Sequence, residues 1–424
     1  ELPFSGHVMF GGRWFSKYPP AWPAVLAIAD RFRAGWFACL LLSSCLLLLT
    51  GSIARIVFTE DTARLSVLLM CASPYFLFNS MGYLSHPLCA VFAAAAMLFF
   101  EKARRSQAPR FWPMFACIGA ALLVRPYTAF CIGLVLALAA LWRVRSSRRA
   151  VGKLVLEGLV AALCTVAALA AYNHALTGSY WRSTYALARG TNVPVELSLS
   201  VSTIVHNLLY TGRWSVESTA VYCFPFLFAL AAFCIVKESR KYLSVIVLGM
   251  LFVILVGGYL LQPEWSTCRY GERYYFEGLF GVAILAARGV ELLWGSATGF
   301  SAKAVAIILV ALLLAEAAFF AVATRKIFGF TRYTAGVQRA FDQLEMPDAV
   351  SFYADSRELN YIDRAKNINP NAADWRDAAV IFLPDPGPTY RDAVTRALKR
   401  TRWVLLGSDS EVSPVRILSY KTLN

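Results

Sequence analysis

Long apolar runs separated by short basic clusters dominate the first three quarters of the chain. Of the 424 residues, 58% are hydrophobic and 16% are charged, against about 45–50% and about 25% in soluble domains. A soluble particle of this size cannot bury so much apolar surface, and a disordered chain needs few apolar residues. The net charge of +15 lies in clusters between apolar runs, which argues against nucleic-acid binding. The pattern predicts a polytopic protein of the cell membrane, surrounded by the lipid bilayer.

The apolar runs predict about ten spans, since about 20 apolar residues are needed to cross the hydrocarbon core. The stretch 111–142 is divided in two because its 32 residues would form a helix of about 48 Å. Pro126 also disfavours a helical conformation at Arg125. The predicted spans are 35–57, 65–80, 87–100, 111–124, 128–142, 154–176, 219–236, 242–261, 277–294 and 304–323.

Three basic loops set the predicted orientation, because Lys and Arg are enriched in cytoplasmic loops. Residues 101–110, 143–153 and 237–241 all fall on the same side when the spans are counted. The same count puts outside residues 1–34, 82–86, Arg125, 177–218 and 262–276, together with everything after residue 324.

Residues 325–424 have a different composition, with frequent charges and short β-rich runs (AVSFY, AAVIFLP, RWVLLG, VRILSY) around the helical pattern TYRDAVTRALKR. We therefore predict two domains, an all-α membrane bundle at 1–324 and a small extracytoplasmic α/β domain at 325–424.

The loops predicted to lie outside are rich in Tyr, Trp, Arg and His. An interfacial aromatic belt with snorkelling arginines is the plain alternative, but the cytoplasmic loops hold few aromatic residues, so the asymmetry favours a site. Guanidinium and ammonium groups attract phosphate, and tyrosine rings can stack on sugar or line an acyl groove. The candidate substrate-binding residues are Arg13, Lys17, Tyr18, Tyr83, His86, Arg125, Arg269, Arg273, Tyr274 and Tyr275.

Acidic residues near the outer end of a late span are candidates for a general base. Glu272 and Glu264 are the two candidates, with Glu277 close by, and an Arg–Glu surface network explains the same segment equally well. The catalytic residue therefore stays unassigned. The ten cysteines form no pattern with metal-ligand spacing, so neither a metal nor a cofactor is expected.

Four segments occur here in an order typical of one family. They are GGRWFSKYPPAWPAVLAIAD from residue 11, GYLSH from 82, RPYT from 125 and RYGERYYFEGLFGVAILAARGVELL from 269. With them the chain resembles bacterial GT-C glycosyltransferases. These are similar to the dolichyl-phosphate-mannose protein mannosyltransferases and to the aminoarabinose transferase that acts on lipid A. The resemblance runs from about residue 8 to 325, and the Tyr-Pro-Pro segment is its most specific part.

The resemblance implies an inverting transfer of a sugar from a polyprenyl-phosphate donor to a glycan, lipid or protein acceptor outside the membrane. It also implies that Lys17, just before the double proline, contacts the donor phosphate. In the family the first span and an acidic base precede this segment, and some relatives have Glu where Ser16 stands. We therefore expect an upstream piece to be missing. A truncated fragment, an incomplete gene product and an inactive relative are the three interpretations.

Two other functional classes compete with the transferase. A transporter or flippase should have inverted repeats and ionisable residues near the membrane midplane. A non-catalytic subunit of an envelope-assembly complex would explain the missing acidic segment. The sequence favours the transferase and leaves the sugar and the acceptor open.

Overall fold

The computed structural model describes residues 7–10, 13–189, 200–223, 225–261, 272–296, 303–304, 306–308, 310–325, 349–353, 380–384, 387–407 and 416–423. They form two compact units. One unit comprises residues 18–317, and the other comprises residues 1–17 together with 318–424. The domain boundary at 324/325 stays a prediction.

Residues 18–317 fold into helices. Their bounds are α1 Ala21–Arg31, α2 Gly35–Val57, α3 Glu60–Ala72, α4 Pro74–Met81, α5 His86–Arg105, α6 Trp112–Leu122, α7 Pro126–Val144, α8 Arg148–Thr177, α9 Thr184–Arg189, α10 Val201–His206, α11 Arg213–Cys223, α12 Pro225–Glu238, α13 Leu243–Tyr259 and α14 Leu279–Ser296. A π-helical turn (Asn207–Gly212) joins α10 to α11, and a 3-10 helix (Arg273–Gly278) leads into α14. A further helix, α15, spans Ala306–Arg325.

The membrane-protein prediction is confirmed by five described helices that are long and apolar enough to cross a bilayer, namely α2, α5, α7, α8 and α15. A sixth candidate is the pair α11 and α12, which is bent by 95°. The count of ten spans is thus supported only in part. Helix α6 has 11 residues, a length of about 17 Å, which is short of a core of about 30 Å.

Prolines decide where two of the predicted spans break. The predicted span 65–80 is wrong as a single helix, because it divides into α3 and α4 at Ser73, whose backbone is extended (φ −72°, ψ 117°) before Pro74. The predicted division of 111–142 is confirmed. Arg125 leaves the helical region (φ −145°, ψ 87°) before Pro126, and α7 begins there.

Helix α14 lies in the core of the bundle and is nearly continuously buried from Leu279 to Val290. Its glycines permit close backbone approach. A Cβ atom at Gly281 would lie 2.6 Å from the carbonyl oxygen of Leu248 in α13, and one at Gly289 would lie still closer to that of Leu230 in α12. Small residues commonly line close helix interfaces in membrane proteins, so these two glycines allow α14 to pack closely on α13 and α12.

Ion pairs of buried carboxylates occur both between and within helices of the bundle. Arg288 in α14 donates to both carboxylate oxygens of Glu238 at 3.0 and 2.8 Å and to Glu291 at 2.8 Å. Glu101 in α5 is fully buried and pairs with Arg104 at 2.7 Å. Partners of this kind are needed because an unpaired buried charge is strongly destabilising.

In the other unit, β1 (His7–Phe10) and β2 (Arg13–Ser16) form an antiparallel hairpin. A four-stranded sheet has the order β4-β3-β5-β6. Its strands are β3 Ala349–Tyr353, β4 Val380–Pro384, β5 Arg402–Gly407 and β6 Arg416–Thr422, and α16 spans Arg391–Ala397. Strand β3 is parallel to β4 and β5, whereas β6 is antiparallel to β5. The predicted β-rich runs and helical pattern therefore correspond to described elements, while the extracytoplasmic location stays a prediction.

Candidate functional site

The 3-10 helix before α14 is anchored by its N-cap residue, Glu272. The carboxylate of Glu272 accepts a hydrogen bond from the backbone N–H of Tyr274 at 3.3 Å, as an N-cap does. Its own backbone N–H donates to the hydroxyl of Thr219 at 2.7 Å, and its carbonyl accepts from the Tyr75 hydroxyl. Glu272 is fully buried. The carboxylate that was a candidate general base therefore caps the 3-10 helix inside the protein.

Glu277, near the end of the same 3-10 helix, binds two side chains from distant parts of the sequence. Its Oε1 lies 3.1 Å from Nδ1 of His86 and 3.2 Å from Nε of Arg125. Nε2 of His86 lies 3.1 Å from NH1 of Arg125. The side chains of Glu277 and His86 are 0% and 1% exposed, while that of Arg125 is 15% exposed. The three groups form a closed triangle that is accessible only along the guanidinium.

Arg125 makes further contacts through each of its nitrogens. Nε lies 3.3 Å from the hydroxyl of Thr128, NH1 lies 3.4 Å from that of Ser85, and NH2 lies 3.3 Å from that of Tyr259. The hydroxyls of Thr128 and Tyr259 are themselves 2.6 Å apart. The break that Pro126 imposes therefore presents Arg125 to α5, α7, α13 and the 3-10 helix at once.

Tyrosine rings cover this guanidinium. The rings of Tyr259 and Tyr274 are stacked, with centroids 4.6 Å apart and planes at 13°. The guanidinium carbons of Arg125 and Arg273 lie 5.1 and 5.3 Å from the centroid of the Tyr274 ring, within the range of cation–π attraction. One tyrosine thus gathers two arginines that are far apart in sequence.

Tyr18 lies within electrostatic reach of both arginines. Burial raises the pKa of its hydroxyl, and the positive charges of Arg273 and Arg125 oppose that rise. Its ring packs edge-on against Tyr185 at 5.8 Å, and its carbonyl accepts a hydrogen bond from the Tyr172 hydroxyl at 3.2 Å. We call Tyr18, His86, Arg125, Arg273 and Tyr274 the guanidinium–tyrosine cluster.

This cluster combines two permanent cations with partly exposed aromatic rings. Arginine carries planar N–H donors that match phosphate geometry, and reduced access to water strengthens each electrostatic contact. The arrangement is suited to hold an anionic oxygen group next to a flat or apolar moiety.

The remaining predicted site residues lie elsewhere or cannot be compared with the cluster. Tyr83 is 59% exposed, and its ring lies beside Gly35 at the start of α2. Tyr275 is buried and packs edge-on against Phe252 at 5.8 Å. Arg13 and Lys17 belong to the other unit. Arg269 and Glu264 lie outside the described residues.

Sequence reasoning missed the role of Glu277 and Tyr259 in this cluster. Glu277 stands at the start of an apolar run, and an ionisable residue there is a signal for a buried functional contact. Tyr259 lies near the end of another apolar run without a comparable signal.

No protein-family model and no curated protein sequence matches the chain. Solved structures do match it in fold. ArnT from Cupriavidus metallidurans in the apo state is 14% identical, with a TM-score of 0.54 over 96% of this chain and 85% of ArnT. The oligosaccharyltransferase of Archaeoglobus fulgidus in complex with Zn and sulfate is 15% identical, with a TM-score of 0.57 over 96% of this chain.

The same archaeal enzyme, AglB, in complex with an inhibitory peptide and a dolichol-phosphate, is 12% identical with a TM-score of 0.54. This chain spans 61–63% of the length of the archaeal enzyme in these two structures. ArnT and AglB are membrane glycosyltransferases of the GT-C fold. The predicted GT-C fold is therefore confirmed.

Proposed function

We propose that the chain is a membrane glycosyltransferase that moves a sugar from a polyprenyl-phosphate donor to a glycan, lipid or protein acceptor. The GT-C fold supports the general class of membrane glycosyltransferases, since ArnT and AglB have that fold and belong to that class. AglB has been solved in complex with a dolichol-phosphate, which is a lipid phosphate of the same chemical kind as the proposed carrier.

The observation that carries the proposal is the pair of arginines on one tyrosine ring. Arg125 and Arg273 lie 5.1 and 5.3 Å from the Tyr274 ring centroid, and Tyr18 lies within the field of both. A phosphodiester needs cationic donors, and the first sugar or isoprene unit needs an apolar or aromatic surface beside them. The cluster supplies both within one site.

The proposed reaction is a displacement at the anomeric carbon with inversion. The bond from the acceptor oxygen to that carbon forms, and the bond to the phosphate oxygen breaks with its electron pair. Polyprenyl phosphate leaves as an anion, and the acceptor proton passes to a base. Arg125 and Arg273 would stabilise the charge that grows on the leaving phosphate.

The base is not assigned to this cluster. Glu272 and Glu277 are both fully buried within the protein, and neither is placed to receive a proton from an acceptor hydroxyl. The predicted orientation puts the reaction on the outer side of the membrane, with the C-terminal α/β unit also outside. Lys17 is proposed as a further phosphate contact from the resemblance of its segment.

The test uses the full chain in phosphatidylcholine nanodiscs and two readouts. The first is binding of undecaprenyl phosphate, with undecaprenol as the neutral control. The second is release of undecaprenyl phosphate from a panel of undecaprenyl-phosphate sugars, measured by mass spectrometry in the presence of glycan, lipid and peptide acceptors.

Arg273→Ala is expected to weaken undecaprenyl phosphate binding about 10- to 100-fold, because a hydrogen bond to a charged group contributes about 1.5–3 kcal/mol. Lys17→Ala is expected to lower sugar release in the same assay. The control is Arg64→Ala, which removes an arginine that is 71% exposed on α3. Equal binding of phosphate and alcohol, or wild-type behaviour of Arg273→Ala, would refute the phosphate site. Tight binding without sugar release under any acceptor would indicate a transporter or an assembly subunit.

A further inference from the structure

Glu277 and His86 are buried polar groups that do not face the proposed substrate. They are 0% and 1% exposed, yet both contact the guanidinium of Arg125, which is itself 15% exposed. Replacing a buried ion pair with apolar residues of similar volume is often neutral or stabilising. Stability alone is therefore a poor reason for placing a carboxylate and an imidazole here.

The hydrogen-bond partners of His86 define its protonation. Arginine has only N–H donors, so Nε2 of His86 must accept from NH1 of Arg125 at 3.1 Å. The remaining nitrogen, Nδ1, therefore carries the proton and donates to Oε1 of Glu277 at 3.1 Å. His86 is a neutral bridge with one defined tautomer, and it transmits the position of Glu277 to Arg125.

Arg125 is fixed from two directions by this bridge. Glu277 contacts Nε at 3.2 Å, and His86 contacts NH1 at 3.1 Å. A planar guanidinium held at two of its nitrogens has a defined plane and rotation. NH2 is then directed to the Tyr259 hydroxyl at 3.3 Å, and Tyr259 stacks on Tyr274.

We infer that Glu277 and His86 are positioning residues that orient Arg125 and, through Tyr259, the Tyr274 ring, so that the cluster is preorganised for a lipid phosphate. This inference rests on the proposed function, because it assigns roles within the same site. Neither residue touches the phosphate or the reacting atoms.

Charge and position make opposite predictions for Glu277. If the carboxylate acted only through its charge, its removal would leave the cluster more positive and would tighten binding of an anionic lipid. If Glu277 positions Arg125, removing the carboxylate oxygens weakens binding of the anionic lipid. A neutral side chain that keeps an acceptor oxygen at this position then preserves most of the affinity for that lipid. The sign of the change therefore separates the two roles.

The experiment measures undecaprenyl phosphate binding by the full chain in phosphatidylcholine nanodiscs, together with thermal stability. Glu277→Leu is expected to weaken binding at least tenfold, and Glu277→Gln is expected to stay within about threefold of wild type. The matched control is Glu101→Leu. Glu101 is also 0% exposed and paired with an arginine at 2.7 Å, and it lies 15 residues along α5 from His86, a distance of about 22 Å.

Glu101 matches Glu277 in a further respect. Each has one carboxylate oxygen that is buried without a hydrogen-bond partner among the described residues. Glu101→Leu should therefore lower stability to a similar degree while leaving binding within about threefold of wild type. Equal losses of binding in Glu101→Leu and Glu277→Leu would reduce the role of Glu277 to stability and overturn the inference.

A second pair of variants serves if Glu277→Leu does not fold. Asparagine at position 86 can donate to Glu277 but offers Arg125 no acceptor in place of Nε2, whereas glutamine can place its oxygen there. His86→Gln is expected to bind undecaprenyl phosphate at least fivefold more tightly than His86→Asn. Equal or reversed affinities contradict the bridge.

The outcomes also separate this inference from the proposed function. No phosphate-dependent binding by the wild type, or no loss in Arg273→Ala, overturns the proposed function and the inference with it. Wild-type binding that is lost in Arg273→Ala but unchanged or tighter in Glu277→Leu overturns the inference alone.

Discussion

The close contact between α14 and α13 gives a sharp test of how the bundle positions its site. Gly281→Ala adds a methyl group whose carbon would lie 2.6 Å from the carbonyl oxygen of Leu248. That oxygen belongs to the backbone of α13 and cannot rotate away. An ordinary contact needs about 3.4 Å, so the two helices must separate by about 0.8 Å at this point.

Two opposing terms set the size of the effect. Overpacking in a tight interface costs about 1–3 kcal/mol, while replacing glycine by alanine inside a helix gains about 1 kcal/mol. Gly295→Ala on the same helix isolates the second term, because nothing lies within 4 Å of a Cβ at Gly295. The difference between the two variants is therefore about 1–3 kcal/mol, with Gly281→Ala the less stable.

The separation of α14 from α13 is also expected to displace the guanidinium–tyrosine cluster. Gly281 follows Glu277 by four positions, and a misplacement of about 1 Å can reduce a site's effectiveness about 100-fold. Gly281→Ala should weaken undecaprenyl phosphate binding at least tenfold, whereas Gly295→Ala should leave it unchanged.

The assay is thermal denaturation of the purified full chain, followed by the loss of the monodisperse peak in size-exclusion chromatography, with binding measured in parallel. We expect a midpoint on the order of 2–6 °C lower for Gly281→Ala than for Gly295→Ala. Equal midpoints would refute the close packing of α14 on α13. A lower midpoint with unchanged binding would refute the link between α14 and the site.

Three shorter predictions concern other contacts. Arg288→Ala removes the ion pair between α14 and α12 and leaves the buried carboxylate of Glu238 without its partner, so it should destabilise the bundle by about 3 kcal/mol, measured in the same thermal assay. Hydrogen bonds from Lys421 and from a tryptophan ring hold the pKa of Asp392 below its usual value. The stability that ionised Asp392 contributes is present above the usual pKa of an aspartate and is lost as the pH falls through the lowered pKa. Hydrogen exchange of the backbone amides of β5 at 402–407, corrected for intrinsic rates, should therefore accelerate below about pH 4. Arg125→Lys keeps the charge but loses the planar donors, and undecaprenyl phosphate binding should fall at least tenfold in the nanodisc assay.

The sequence predicted those features that depend on local chemistry. Proline disfavours a helical conformation at the residue before it, which is why the break at Arg125 could be located without a structure. The same rule applies at Pro74, where the structure divides 65–80 into α3 and α4, whereas the apolar run around that proline favours a single span. Alternating β-rich runs likewise located the strands of the C-terminal unit.

The contacts of the cluster could not be predicted in the same way. His86 and Glu277 are separated by 191 positions, and no local pattern pairs them. The pairing depends on how α5 and the 3-10 helix meet in the bundle, which in turn depends on backbone approach at glycines such as Gly281. Apolar composition shows that helices pack together but does not specify which of their ends meet.

The position of Glu277 relative to helix termini explains how a carboxylate is accommodated in this bundle. His86 is the first residue of α5, and Arg125 directly precedes α7; Glu277 contacts both. The two side chains that bind the carboxylate of Glu277 therefore come from the residues at which α5 and α7 start. A proline follows each of these two residues, Pro87 after His86 and Pro126 after Arg125. The prolines that set where α5 and α7 begin therefore also determine which side chains surround the carboxylate of Glu277.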